Sequence, residues 1–296
     1  MKKFIICLLL TLLTFNLFSQ NNSEITILNL EEQETEFRWY GRGEPFELSY
    51  AVDIPIIATC AGLYFPTLIY ENFFNSTDIH YDGNPLNSAE LNSLDKSLLF
   101  SFNKPLDLTA DILSIGIALI PGIFFTVPKE DWITIGVMYG ETYVLTRGIK
   151  ELCKLSFNRA RPYMYFDNPP QKDIENGDWY LSFPSGHTAY AFATAAFSTY
   201  MVNTYYPDAS WKWALIGGSY ALATIDGALR IYGGCHFTTD VITGALIGTA
   251  TGFLVPWLHT LSARANLPVT VTPLGLTIEV TYSSLCDLGA TGDTLL

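Results

Sequence analysis

Positive charge is scarce in this chain: 16 Lys and Arg stand against 29 Asp and Glu, a formal charge of -13. A field of that sign repels nucleic acid, so binding nucleic acid through overall electrostatics is excluded. Charge of either sign is thin, at 15% of residues against 49% hydrophobic, and mean hydropathy is +0.23. That balance lies between an ordinary soluble domain and a dense membrane bundle and leaves both open. Metal-type cysteine spacing is absent: Cys7, Cys60, Cys153, Cys235 and Cys286 lie far apart, which argues against a zinc site. Cys235 stands beside a histidine, but a small apolar filler is the better reading than a nucleophile.

What is present falls into four parts. Residues 1–20 have a basic start at Lys2 and Lys3, a short apolar run and the small residue Ser19, the form of a secretory signal. Removing the two lysines takes the formal charge from -13 to -15. Residues 21–105 read as a polar, acidic, solvated arm followed by a first apolar helix at 50–70, which is long enough to span a bilayer but carries Asp53, Pro55 and Pro66. Residues 71–106 form a polar excursion with a short helical stretch near 88–102. Residues 106–261 carry five further apolar helices, at 111–127, 132–145, 187–205, 211–229 and 241–261. Gly217, Gly218, Gly244 and Gly248 permit close helix packing there. The tail, 262–296, alternates Val269, Val271, Leu276, Ile278 and Val280 with polar residues and reads as strand. The expected fold is therefore all-α, a six-helix bundle, membrane-embedded by preference, with a polar N-terminal arm and a short strand-like tail.

Three stretches carry the chemistry. Lys154-x6-Arg161-Pro162 precedes Pro184-Ser185-Gly186-His187, and Arg230-x5-His236-x3-Asp240 follows it. Pro184 and Gly186 set a tight turn, Ser185 is an N-cap, and the first free N–H groups of the next helix attract an anion. A capped helix start with a surface histidine is the plainer alternative for that stretch alone. A phosphomonoester needs its oxygens held, an in-line nucleophile and an acid for the leaving oxygen. Lys154, Arg161 and Arg230 supply positive charge, and the arginines can fork onto phosphate. Ser185 and the backbone N–H groups of Gly186 and His187 complete the cradle. His236 and Asp240 are four apart, so on a helical backbone the carboxylate can reach one ring nitrogen and leave the other free to attack. His187 is the proton donor to the departing alkoxide and then the base for water.

The order and spacing of these stretches resemble the signature of the phosphatidic acid phosphatase type 2 and haloperoxidase superfamily, over residues 106–261. The resemblance implies a phosphohistidine on His236, with Asp240 as its partner and His187 as acid and base. It assigns Lys154, Arg161, Ser185, Gly186 and Arg230 to phosphate and implies no metal requirement; no cofactor is expected. Leu229 departs from the small residue that many members carry before the arginine. Apolar helices beside the site and the aromatic loop 162–180 point to a phosphorylated lipid in the membrane as substrate. The alternatives are a secreted acid phosphatase of soluble esters and a vanadate-dependent haloperoxidase.

Orientation sets a puzzle. A site on the periplasmic face of a bacterial-type inner membrane leaves Lys129, Lys212 and Arg264 on the cytoplasmic side, as the positive-inside rule prefers. It also requires the residues before 50 to start inside, whereas a cleaved signal puts them outside. The conflict lifts if the 50–70 segment packs without crossing, or if the whole protein is a soluble periplasmic bundle.

Overall fold

Apolar runs of this length become helices, and their capping residues decide where each one stops. In a computed structural model the protein is described over residues 46–69, 81–265, 269–272 and 275–278. Among the described residues the six long helices are α1 (Tyr50–Ile69), α3 (Lys104–Ala118), α4 (Trp132–Phe157), α6 (Gly186–Tyr205), α7 (Lys212–Tyr232) and α8 (Thr238–Ala265). Two short ones, α2 (Ser93–Ser97) and α5 (Gln171–Glu175), lie in the connections. A hairpin of β1 (Val269–Thr272) and β2 (Gly275–Ile278) pairs antiparallel with Val269 opposite Ile278, as the alternation predicts. The signal stretch, residues 21–45 of the arm and residues 279–296 of the tail lie outside the described residues.

Two helices run further than the hydropathy pattern indicates. Asn103 caps α3 by accepting the Leu106 N–H at 3.2 Å, and Pro105 suits the first turn, so α3 begins at Lys104 and carries Asp107 and Asp111. The 3-10 segment Ile120–Thr126 continues it. α4 passes Leu145 and runs through Arg147, Lys150 and Lys154 to Phe157, where Asn158 turns left-handed at φ 43°. Asparagine is among the few residues that take that conformation readily, and it ends the helix.

At the centre, α6 and α8 touch backbone to backbone. Gly244, Gly248 and Gly252 recur every four residues on α8 and meet Ser185, Ala189 and Ala193, which recur every four on α6. A Cβ on Gly248 would fall 2.0 Å from the Ala189 carbonyl oxygen, and one on Gly252 2.4 Å from that of Ala193. Only hydrogen fits along this seam. Gly217 and Gly218 of α7, expected to pack in the same way, have nothing within 4 Å of a built Cβ and face open space.

The main core fills the space between α1, α4, α6 and α8 with Ile56, Leu63, Met138, Leu145, Phe197, Met201 and Val255. Phe46, at the end of the supposed solvated arm, joins it against Tyr200 and Tyr205. The aromatic loop 162–180 has structure of its own: two 3-10 turns and α5 build a small core of Tyr163, Met164, Trp179 and Tyr180, covered by Tyr81, Leu86 and Phe102. Outward the bundle is apolar. Leu108, Ile112, Ile115 and Leu119 form one exposed stripe on α3, and Ile242, Leu246, Leu254 and Trp257 another on α8. Segments Lys104–Thr126 and Thr238–Leu261 are long and apolar enough to cross a membrane.

Candidate active site

Helices α3, α6 and α8 begin at one end of the bundle, and α4 and α7 finish there. Contacts across this end tie the starts and finishes together: Arg230 to Asp107, the Ser185 N–H to the Asp240 carbonyl, and Lys150 beside Gly186. All eight residues expected to form the site converge here.

His236 sits in the turn between α7 and α8, 3% exposed, with its N–H and that of Cys235 both donated to the Arg230 carbonyl. Gly234 makes this turn at φ 71°, and a Cβ there would lie 2.5 Å from the Ser101 carbonyl oxygen. The ring Nδ1 lies 2.8 Å from the Ser182 carbonyl oxygen. A carbonyl only accepts, so Nδ1 carries the hydrogen and Nε2 carries the lone pair. Burial pushes the His236 pKa well below 6.5, and the charges of Arg161, Lys154 and Arg230 push the same way against the Ser182 carbonyl. The imidazole is therefore neutral, with a free nitrogen among three cations.

Asp240 is not the direct partner of that ring. Its Oδ2 is 3.7 Å from Nδ1, beyond hydrogen-bond range. His236 precedes the first turn of α8, so the four-residue spacing does not stack the two side chains as it would within a helix. The carboxylate instead accepts from Ser182 Oγ at 2.5 Å, the Phe237 N–H at 2.9 Å and Arg159 Nη1 at 2.5 Å. Asp240 holds Ser182, and Ser182 holds the histidine.

Ser185 occupies the N-cap position of α6 but does not cap it through its side chain: Oγ pairs with Thr188 Oγ1 at 2.9 Å. The Phe183–Pro184 peptide before it is cis. At Gly186 a Cβ would meet Lys150 Cδ at 2.9 Å with Nζ at 3.5 Å, so a lysine ammonium stands over the helix start. His187, next along, points Nε2 at Asp111 Oδ1, 3.1 Å away; burial, then the charge of Arg230, push its pKa down to about 3 against the pull of Asp111.

Arg230 is 3% exposed; Nη1 donates to Asp107 at 2.6 Å and Nη2 to Asp111, while its buried Nε has no protein partner. Arg161 donates Nε to the Asp178 carbonyl at 2.9 Å and Nη1 to the Cys235 carbonyl at 3.3 Å. Both guanidiniums are fixed before any ligand arrives. Cys235 is buried against Asp107, and burial, with that carboxylate, pushes its thiol up to about 12, which fits a filler and not a nucleophile.

The PAP2 superfamily model matches residues 135–264. This segment is thus similar to the PAP2 superfamily. Over 120 residues the chain is 33% identical to the lipid A 1-phosphatase of Porphyromonas gingivalis, a match covering 40% of this chain and 23% of that protein. The chain thus spans about a quarter of the length of that curated relative. Among solved structures it is similar to LpxE of Aquifex aeolicus, with 23% identity, coverage of 55% of this chain and 92% of that one, and a TM-score of 0.39. It is also similar to a transmembrane PAP2 type phosphatidylglycerolphosphate phosphatase of Bacillus subtilis, with 20% identity, coverage of 70% and 95%, and a TM-score of 0.41.

The PAP2 segment holds every residue expected from the sequence, yet the residues that brace them come partly from outside it. Asp95 of α2 is fully buried and accepts from Arg159 Nη2 at 2.6 Å, the Thr239 N–H at 3.0 Å and Thr239 Oγ1 at 2.8 Å. Burial would raise its pKa, but these donors and Asn92 outweigh it and hold the carboxyl below its usual value. Arg159 thus bridges Asp95 and Asp240 and lies over the Phe237 ring. Nothing in linear spacing marked Arg159, Asp95, Asp107, Asp111 or Ser182. The nearest signal was Arg159 inside Asn158-Arg159-Ala160-Arg161, a second guanidinium directly after a helix stop.

Proposed function

We propose that the protein is a metal-independent phosphatase that hydrolyses a phosphomonoester or diphosphate carried on a membrane lipid. The observation that carries this reading is the neutral, buried His236 with Nε2 free among Lys154, Arg161 and Arg230. Nε2 attacks phosphorus, the P–O bond to the lipid breaks, and His187 gives its proton to the departing alkoxide. A phosphohistidine remains. His187, now a base, takes a proton from water, whose oxygen attacks phosphorus; the P–N bond breaks, its electron pair returns to Nε2 of His236, and inorganic phosphate leaves. The unpartnered Nε of Arg230, the Arg161 guanidinium, Lys154, Ser185 and the N–H groups of Gly186 and His187 hold the phosphate oxygens as charge moves through them. Asp111 faces Nε2 of His187 and favours a proton there, and the phosphate entering beside it adds the negative charge that offsets burial and the nearby arginines, which hold the His187 pKa down to about 3 in the free protein.

The exposed apolar stripes on α3 and α8 support a bilayer around the bundle, which brings a lipid phosphate to the site from the side. The likeness to a lipid A 1-phosphatase supports the same substrate class. Lys129 and Lys212 begin their segments at the end away from the site, as a periplasm-facing site in an inner membrane prefers. Asp53 lies beside Glu141 and Leu63 beside Gly148, so α1 runs along α4 in the same direction. It brings the chain from the far end toward the site, which favours a crossing α1 with the preceding residues inside.

Phosphate release from detergent-purified protein tests this reading, with lipid A, phosphatidic acid, phosphatidylglycerol phosphate, a polyprenyl diphosphate and a soluble aryl phosphate as substrates. Lipid-selective turnover that persists with chelator, well below the thermal midpoint, and is inhibited by vanadate is expected. Turnover of the aryl phosphate alone would overturn the lipid assignment, and loss of turnover with chelator would overturn the metal-free site.

A further inference from the structure

Two buried ionisable groups and a half-buried one take no part in the phosphate site. Asp53 of α1, Glu141 of α4 and His259 of α8 converge so that one donor atom from each lies within 4.8 Å of the others. His259 is fully buried and Glu141 is 7% exposed. His259 follows Asp240 by 19 residues on α8, about 28 Å along the helix, which puts this cluster at the opposite end of the bundle.

Protein atoms alone leave the cluster unbalanced. His259 Nδ1 lies 3.1 Å from the Glu47 carbonyl oxygen, so it carries the hydrogen and donates. Nε2 then faces two more acceptors, Glu141 Oε2 at 2.8 Å and Asp53 Oδ1 at 3.5 Å. A neutral ring would turn its lone pair toward two carboxylates. Glu141 Oε1 and Asp53 Oδ1 are, besides, buried without a hydrogen-bond partner, a costly state for an ionised oxygen. Positive charge is missing at the point where the three side chains meet.

We propose that Asp53, Glu141 and His259 bind a divalent transition-metal ion of the Zn²⁺ type, clamping α1 to α4 and α8. One imidazole nitrogen with carboxylate oxygens suits zinc and its neighbours, whereas calcium and magnesium prefer oxygen alone. The Nδ1–H donated to a backbone carbonyl is the outer contact that fixes a ligating histidine with Nε2 toward the ion. Two carboxylates neutralise a divalent cation. The Nε2 to Oε2 separation of 2.8 Å opens to about 3.3 Å, the edge of a tetrahedron with bonds of about 2.0 Å, by a small shift of the Glu141 side chain. Glu141 Oε1 supplies a fourth donor if the carboxylate binds through both oxygens. This site is independent of the phosphatase reading.

The test uses full-length protein in detergent, freed of any histidine tag, stripped with chelator and dialysed. Zn²⁺ is then titrated while bound metal and the thermal midpoint are measured. Wild type should take up one equivalent of Zn²⁺ with a rise in midpoint that chelator reverses. Glu141→Gln keeps the shape of the side chain and can donate a hydrogen bond to Nε2, so it should fold yet bind Zn²⁺ at least tenfold more weakly, as should His259→Gln. Equal uptake by wild type and Glu141→Gln, or a wild-type midpoint indifferent to both Zn²⁺ and chelator, overturns the proposal. The second of these results would leave a proton on Nε2 as the missing charge.

Discussion

His236 and His259 stand at the two ends of α8, both buried and both with Nδ1 donating to a backbone carbonyl, from Ser182 in one case and Glu47 in the other. The difference lies in what Nε2 meets. At His236 the neighbouring carboxylate, Asp240, is held away by Ser182, Phe237 and Arg159, and the charges reaching the ring are those of Arg161, Lys154 and Arg230. At His259 two carboxylates face the nitrogen directly and no cation from Lys or Arg is paired with either among the described residues. In the two proposals above, one residue type, in one tautomer, serves as a nucleophile at one end and as a cation ligand at the other. Residue identity and pairing with an acid do not separate these roles; the sign of the field at the second nitrogen does.

The sharpest way to break the comparison is to remove the nucleophile. His236→Ala should lower turnover by at least about a thousandfold, measured as phosphate release from the preferred lipid, because the neighbouring imidazole, His187, has its Nε2 against Asp111 and not free toward the phosphate. Retained turnover above about a tenth of wild type would remove His236 from the covalent step. The same residue sets a pH dependence. With its folded pKa depressed below 6.5, His236 stays neutral in acid that would protonate an ordinary histidine, so the acid limb it contributes to kcat/KM lies below that range. Below pH 6.5 the unfolded chain binds a proton that the folded chain refuses, so its contribution to stability is whole above 6.5 and declines as pH falls. Denaturant unfolding at stepped pH reads that slope, and a stability flat from pH 7 to 5 in both wild type and His236→Gln would contradict it.

The two ends also differ in how far they could be read from the chain. At the phosphate end, motif spacing places Lys154, Arg161, Ser185, Gly186, His187, Arg230, His236 and Asp240 together, because turns and helix starts keep each group local in sequence. Spacing assigned Asp240 to the ring, however, and the structure puts Ser182 between them, since a four-residue rule holds only inside a helix. Asp95 was invisible: it is 144 residues from Thr239, in a polar stretch that reads as an excursion. The far cluster was wholly illegible, as Asp53, Glu141 and His259 come from three helices with no shared pattern. The six apolar runs were legible as helices, but their extents followed Asn103 and Asn158, not hydropathy.

A smaller effect probes how Asp240 works at a distance from the ring. Asp240→Asn should lower kcat by about tenfold to a hundredfold with KM nearly unchanged, by analogy with the loss of an outer partner of a metal-ligating histidine. It loosens Ser182 and the imidazole orientation but leaves the phosphate ligands in place. Arg159→Met removes the bridge from Asp240 to Asp95 and strands two buried carboxylates, so it should cost about 3 kcal/mol of stability as well as activity. Arg159→Lys should restore part of the stability and little of the kcat, because one ammonium cannot span both acids. Equal loss of kcat and rise of KM in Asp240→Asn would mean that it binds phosphate directly and that the relay through Ser182 is wrong.

The smallest effect concerns the helix that runs from just after His236 to His259. Gly248→Ala places a methyl group where the Ala189 carbonyl oxygen would be 2.0 Å from Cβ, so α6 and α8 must separate, at a cost of about 1–3 kcal/mol. Gly217→Ala meets nothing within 4 Å on α7 and should instead be stabilising by up to about 1 kcal/mol through helix propensity. Thermal unfolding of the two variants in the same detergent gives the contrast. The seam runs from Ser185 toward the middle of α6, so a separation at Gly248 should reach the phosphate end and lower turnover severalfold, while Gly217→Ala leaves it alone. Were the two variants to unfold at the same temperature, the α6–α8 contact would not be the rigid reference that holds the nucleophile at one end of α8 and the acid cluster at the other.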